Sequence, residues 1–180
     1  MPPELSIAGE VISDDSDCYV IAEVGHNHQG SLEGCKELFR QAKDCGASAV
    51  KLQKRNNREL YTSELYNRPY DNRNSYGASY GEHREALEFG LEEYTELKTY
   101  CEEIDITFFA TAFDFSSADF LEDLGVPAYK IASGDLKNTP LLEHVAQLGK
   151  PMIVSTGASV LEDVKRAYDT IMPINPQLCL

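Results

Sequence analysis

A chain of 180 residues with 42% hydrophobic and 26% charged side chains fits one globular domain that buries a core and is too short for two full ones. Sixteen basic against thirty acidic residues leave a net charge of −14, a field that repels nucleic acid and anionic membranes, so an anionic ligand must meet a local cluster of positive charge. No stretch approaches ~18 consecutive apolar residues, and the acidic start "MPPELSIAGEVISDD" has no apolar core, so neither a membrane span nor a secretory leader is expected.

"CYVIAEV" (18–24) reads as a strand, followed by a loop from Gly25 to Gly30. "SLEGCKELFRQAKDCG" then carries apolar residues at 32, 35, 38, 39 and 42, which predicts a helix with Ser31 as N-cap and Gly46 as terminator. "ASAVKLQ" (47–53) is the next strand, and 91–104 a helix with Leu91, Tyr94, Leu97, Cys101 and Ile104 on one face. "ITFFAT" is a strand and "SSADFLEDLG" a helix capped by Ser116 or Ser117. "AYKIAS" and "PLLEHVAQLG" form the next pair, with Pro140 opening the helix. "PMIVSTG" is a fifth strand, and 160–172 a helix with Leu161, Val164, Tyr168 and Ile171 inward. "QLCL" opens a sixth strand. Serial βα units imply a parallel sheet, and the pattern alone fits an open doubly wound sheet as well as part of a (β/α)8 barrel.

One connection breaks the rhythm. Residues 54–90 hold five tyrosines (61, 66, 70, 76, 80) and five arginines (55, 58, 68, 73, 84). Connections this long are usually functional, so a lid or a subunit-contact arm is expected over a solvated excursion packed on its own aromatics. The five cysteines (18, 35, 45, 101, 179) form an odd set without C-x-x-C spacing. Three of them are placed on apolar faces, which points to reduced thiols in the cytoplasm over disulfides or zinc.

Active groups of parallel α/β folds collect where strands end. Those positions hold Glu23, then Lys51 and Gln53, then Thr111 and Asp114, then Lys130, Ser133 and Asp135, and finally Ser155, Thr156 and Gly157. Lysines with hydroxyls and helix-start N–H groups suit a phosphate or a carboxylate. A buried strand lysine alone would otherwise be an ion pair with Glu23 or Asp135; two on neighbouring strands, among hydroxyls, favour a ligand site. "GHNHQG" is no G-x-G-x-x-G, so a dinucleotide site has little support. His26 and His28 could open a metal site, but only His83 and His144 remain in the chain. One of these falls in the long loop and the other inside a helix, so the ligand count fails. The two histidines are expected to orient their loop by hydrogen bonds, with room for one of them to touch substrate, and the metal ligands within this chain are expected to be none.

The blocks "IAEVGHNHQG", "GASAVKLQ", "RPYDNRNSYGASYGEHREALEF", "FFATAFD", "VPAYKIASGD" and "GKPMIVSTGAS", in this order, resemble the N-terminal barrel of sialic acid synthases, from about residue 18 to the last. The resemblance implies the first five βα units of a (β/α)8 TIM barrel plus the start of strand six, with residues 1–180 one part of the synthase domain. It also implies condensation of phosphoenolpyruvate with N-acetylmannosamine, its 6-phosphate or a related amino sugar, giving a sialic acid and phosphate. Glu23 would be the active-site glutamate near the sugar. Lys51, Thr111, Lys130, Ser133 and Ser155 would hold phosphoenolpyruvate, while Gln53 and Asp135 would contact the amino sugar. Some members have Glu at the position of Asp135, which bears on sugar specificity.

The family's divalent metal (Mn²⁺ or Mg²⁺) would be held by histidines that lie further along than this chain, where the family's small C-terminal antifreeze-like domain also lies. The chain is therefore expected to be a truncated form, inactive alone, of a cytoplasmic homodimeric enzyme with no nucleic-acid or membrane partner. A Schiff-base aldolase using Lys130, or an inactive fragment, are the rival readings.

Overall fold

The computed structural model describes residues 4–180. An antiparallel hairpin, β1 (Leu5–Ile7) and β2 (Glu10–Ile12), precedes the main sheet. Glu10 and Val11 face solvent, so the hairpin lacks the alternation by which half-buried strands are read from sequence.

Six parallel strands follow: β3 (Ile21–Gly25), β4 (Ala49–Lys54), β5 (Thr107–Ala112), β6 (Tyr129–Ile131), β7 (Met152–Val154) and β8 (Leu178–Cys179). Their order in the sheet is their order in the chain, each hydrogen-bonded to the next. A doubly wound sheet would reverse direction at a switch point. A run that never reverses is the succession of staves in a (β/α)8 barrel, and that decides between the two architectures. The pairing of "QLCL" with β7 confirms the sixth strand.

Helices α1 (Leu32–Asp44), α5 (Leu91–Glu103), α6 (Phe115–Leu124), α7 (Thr139–Gln147) and α8 (Leu161–Ile171) alternate with the strands. Ser31 caps α1 as expected, accepting a bond from the Gly34 N–H. The core lies between this helical layer and the sheet, where Phe39 and Cys35 of α1 and Tyr94, Leu97 and Cys101 of α5 join Val50, Leu52 and Phe108.

Several details differ from expectation. The cap of α6 is Asp114, whose carboxylate accepts from the Ser117 N–H at 2.7 Å; neither serine caps it. Asp114 also accepts from the Asn56 N–H at 2.7 Å, so it ties the start of α6 to the stretch after β4. Leu91, Leu161 and Tyr168 are exposed, not inward. In α8 the buried stripe is Ala167 and Ile171, since this helix packs chiefly on α7. Only Cys35 and Cys101 of the five thiols are buried.

The 54–90 connection is structured. It contains short helices α2 (Asn57–Leu60), α3 (Ser63–Tyr66) and α4 (Tyr80–Glu85), the last closed by a capping box between Ser79 and Glu82. Tyr61, Tyr70, Tyr80 and His83 pack on one another in edge-on and tilted pairs with ring centroids 4.6–6.5 Å apart. Its own aromatics therefore hold this segment together.

Candidate active site

Side chains alternate across a strand, so Glu23, Lys51, Gln53, Thr111 and Lys130 share the inner face of the sheet when neighbouring strands are in register. Glu23 pairs with Lys51, Gln53 with Thr111 and Thr111 with Lys130. A bulge interrupts β3 between Glu23 and Gly25. Bulges re-aim side chains at strand ends, and Gly25 adopts φ +57, a left-handed backbone that glycine takes without strain. A Cβ built there would lie 3.6 Å from the Gln53 amide nitrogen, so Gln53 covers this turn.

Lys51 is 1% exposed. Its Nζ donates to Thr111 Oγ1 at 2.8 Å and lies 3.3 Å from Glu23 Oε1. Glu23 itself reaches solvent, its side chain 62% exposed. Lys130, 9% exposed, donates to Ser155 Oγ and to the Ile131 carbonyl, both at 2.6 Å. Among the described residues no carboxylate lies within ion-pair distance of Lys130.

Burial pushes both ammonium groups below the usual lysine range. Glu23 opposes this at Lys51, while at Lys130 the neighbouring charge of Lys51 adds to it. Two desolvated lysines that repel each other, backed by two hydroxyls, form a cationic patch whose chemistry suits an anion. Ser133 stands on the same side, its hydroxyl 3.6 Å from where a Cβ of Gly157 would be.

Asp135 closes the short turn that begins at Ser133, its carboxyl raised chiefly by burial, with a hydrogen bond from Asn138 and then Arg55 opposing and Asp114 adding to the shift. Seven of the eight predicted residues thus gather at the mouth, with Asp135 beside them.

Position-by-position reading overlooked a second cluster. Arg55 immediately follows β4 and lies 3.6 Å over the Phe113 ring. Its field reaches both Lys51 and Asp135. Glu88, its side chain 7% exposed, lies 3.3 Å from His26 Nε2, 3.7 Å from Lys54 Nζ and 4.0 Å from Arg55 Nη1. It also accepts from the Arg55 N–H at 3.2 Å. Arg84 Nη2 donates to His26 Nδ1 at 3.1 Å. An arginine can only donate, so His26 Nδ1 is the acceptor in that bond; His26 Nε2 and Glu88 Oε1, although 3.3 Å apart, make no hydrogen bond with each other. Arg55 could have been noticed from its place at a strand end; Glu88 carries no local signal.

The histidines answer as loop-orienting groups. His28 is 4% exposed, accepts from the Gly30 N–H at 3.1 Å and stacks on Phe89 at 4.2 Å. Its pKa is pushed down to about 4, first by burial and then by His26. The unfolded ring, near 6.5, therefore binds protons more readily than the folded one. The stability that the neutral ring contributes is complete above about pH 6.5 and is lost as pH falls toward 4. His28→Gln should flatten the curve of thermal midpoint against pH across that window. Parallel curves for the two proteins would show that the ring does not titrate there.

A cavity of about 730 Å³ is lined by Lys43, Lys98, Asp105 and Thr107 at the opposite ends of the strands and contains none of these groups. No helix among the described residues is long and apolar enough to cross a membrane.

Residues 38–180 match the NeuB family. Human N-acetylneuraminate-9-phosphate synthase is 40% identical over 180 residues, covering 99% of this chain and 50% of that protein. The N,N'-diacetyllegionaminic acid synthase of Legionella pneumophila is 40% identical over 157 residues, covering 87% of this chain and 44% of that protein. The chain spans about half the length of these curated relatives. The crystal structure of N-acetylneuraminic acid synthetase from Leptospira borgpetersenii, in complex with citrate, superposes with TM-score 0.81 at 29% identity. That superposition covers 96% of this chain and 56% of that one.

Proposed function

This chain belongs to the NeuB family, that of the sialic acid synthases, and from that premise we propose that its barrel mouth binds phosphoenolpyruvate and condenses it with an N-acylated amino sugar. The observation that carries the reading is the pair of buried lysines, Lys51 and Lys130, held beside each other by Thr111 and Ser155. Phosphoenolpyruvate carries a phosphate and a carboxylate close together, so it neutralises both ammonium groups at once.

In the proposed reaction the enol carbon bonds to the aldehyde carbon of the open-chain sugar. Water adds to the adjoining carbon, and phosphate leaves with its bridging oxygen. Lys51, Lys130, Thr111, Ser133 and Ser155 bind the three-carbon partner and balance its charge. Glu23, exposed at the mouth and tethered by Lys51, positions the water and the sugar or moves a proton between them. Gln53 and Asp135 contact the amino sugar. The acceptor is N-acetylmannosamine, its 6-phosphate or a related amino sugar. Adding three carbons to a six-carbon sugar makes its C6 the C9 of the product, so a 9-phosphate product of the kind named for the human relative requires a 6-phosphate acceptor.

A divalent metal, Mn²⁺ or Mg²⁺, belongs to this reading for the whole enzyme, but the described residues do not fit one. They contain no group of three His, Cys, Asp or Glu able to hold an ion, and the rings of His26 and His28 are committed to Arg84 and Gly30. The buried thiols Cys35 and Cys101, held well above the usual range by burial, support a reducing, cytoplasmic setting.

Isothermal titration tests the reading: phosphoenolpyruvate should bind one per chain, and inorganic phosphate should compete. The lowered pKa of Lys130 would also suit a Schiff base. Borohydride trapping with pyruvate should leave Lys130 unmodified; a covalent adduct there, or no heat with phosphoenolpyruvate, sinks the proposal.

A further inference from the structure

Between the Gly25–Gly30 loop and the stretch from Tyr70 to Tyr76 lies a cavity of about 480 Å³, bounded among others by Asn27, Gln29, Asn72, Arg73, Tyr76 and His83. Its wall contains no carboxylate, in a chain with thirty acidic residues and a net charge of −14. The loop forming one side begins two residues after Glu23, so the cavity opens on the same rim as the proposed active site.

The hydrogen bonds in the wall orient donors. Tyr76 donates its backbone N–H to His83 Nδ1 at 3.3 Å. The neutral ring therefore keeps its proton on Nε2. Tyr76 also donates its hydroxyl to Gln29 Oε1 at 2.9 Å, which leaves the Gln29 amide N–H groups to donate elsewhere. The Asn72 carbonyl oxygen is taken by the Asn74 N–H at 2.9 Å, and its amide N–H groups are likewise left over. Arg73 is exposed, and among the described residues no carboxylate lies within ion-pair distance of it. A sugar hydroxyl both donates and accepts, so a wall built for hydroxyls alone would include strong acceptors. This wall offers a full positive charge and several oriented N–H donors, the complement of a phosphate.

We propose that this cavity receives the terminal phosphate of the acceptor sugar, with Arg73 as the residue that makes the chain select a hexosamine 6-phosphate over the unphosphorylated hexosamine. The inference rests on the synthase reading above and adds to it which of the three acceptors is used. The two ends of the acceptor then lie on one rim, its aldehyde at Glu23 and its phosphate at Arg73. The segment that holds Arg73 is fixed to the first βα loop by the Tyr76–Gln29 bond, so the phosphate subsite and the catalytic carboxylate keep a set spacing.

The experiment is calorimetric, on the full chain with saturating phosphoenolpyruvate, and reads the ratio of dissociation constants for N-acetylmannosamine and N-acetylmannosamine 6-phosphate. The parent should favour the phosphorylated sugar. In Arg73→Ala the ratio should fall by about tenfold or more, the loss of one charge-assisted contact to phosphate. Arg73→Lys should retain part of it, and Arg40→Ala, on the far surface of α1, should keep the parental ratio. Unchanged preference in Arg73→Ala, or a parent that binds both sugars equally, overturns the proposal while leaving the synthase reading intact. Equal weakening of phosphoenolpyruvate and sugar phosphate in Arg73→Ala would assign the cavity to phosphoenolpyruvate and overturns it as well. A chain that binds no phosphoenolpyruvate fails at the earlier reading, not at this one.

Discussion

Replacing Lys130 with methionine is expected to weaken phosphoenolpyruvate binding about 100-fold, the loss of charge-assisted contacts worth about 2–3 kcal/mol, while raising the thermal midpoint. The two effects have one cause. Lys130 is 9% exposed, its ammonium is satisfied by one hydroxyl and one carbonyl, and no carboxylate of the described residues lies within ion-pair distance, so the charge of Glu23 offsets its desolvation only in part. Lys51 beside it adds repulsion. Without ligand, the fold therefore carries a charge that costs stability. Methionine keeps the length and apolar stem of lysine and removes the charge. Exchange of buried ionic groups for well-packed apolar ones commonly stabilises by about 1–4 kcal/mol, and in a chain of this size each kcal/mol raises the midpoint by about 2–4 °C. Titration calorimetry and a thermal melt on the same sample check both halves. A variant that melts lower and still binds phosphoenolpyruvate would make Lys130 a structural group. Lys51 is a poorer choice for this experiment, because Glu23 and Thr111 already share its proton donors, and its removal leaves that carboxylate without its counter-charge.

The same two lysines show why much of the site was legible in the sequence. A strand cannot bury a lysine cheaply, so "VKLQ" and "YKIA" each announce a partner, and serial βα patterning puts their ends at one rim. Barrel against open sheet could not be read from periodicity, because both architectures use identical local units. Strand order is a tertiary fact, and here it rests on registers such as Thr111 with Lys130. Asp114 was misjudged for a related reason. It stands at a strand end like a catalytic group, yet it caps α6 and holds the Asn56 N–H; a carboxylate placed for capping and one placed for chemistry look alike in one dimension. Leu161 was placed inward from a helical period, but it is 79% exposed, since a period says which residues share a face and not what covers that face. The stretch 54–90 had no period to read, and its order comes from contacts between residues far apart in the chain, such as Arg84 with His26.

Glu88 is the residue on which that order depends most, and its replacement by alanine should be among the most damaging single changes outside the apolar core. The carboxylate is buried among His26, Lys54 and Arg55, and Arg84 reaches it through His26. Arg55 is held below the usual arginine range, first by burial and then by the charge of Arg84, and Glu88 is the largest influence opposing both. Removing the carboxylate leaves two guanidinium groups and Lys54 crowded without a counter-charge. Breaking a buried ionic cluster from one side costs about 3–5 kcal/mol, or a midpoint lower by roughly 6–20 °C. Glu88→Gln separates charge from shape, since the amide keeps an oxygen for the Arg55 N–H and fills the same space. Most of the loss should persist in that variant, and moderate salt should recover little of it, because buried charges are screened weakly. If Glu88→Gln melts like the parent, the cluster is held by shape and hydrogen bonding, and the charge argument is wrong. Should Glu88→Ala fail to fold, the urea midpoint of Glu88→Gln still decides. The close approach that Glu88 stabilises has its own marker: a Cβ on Gly30 would lie 2.6 Å from the Ala86 carbonyl. The histidine loop and the end of the long connection are therefore in backbone contact, and His26, between Arg84 and Glu88, is the side-chain link across that contact.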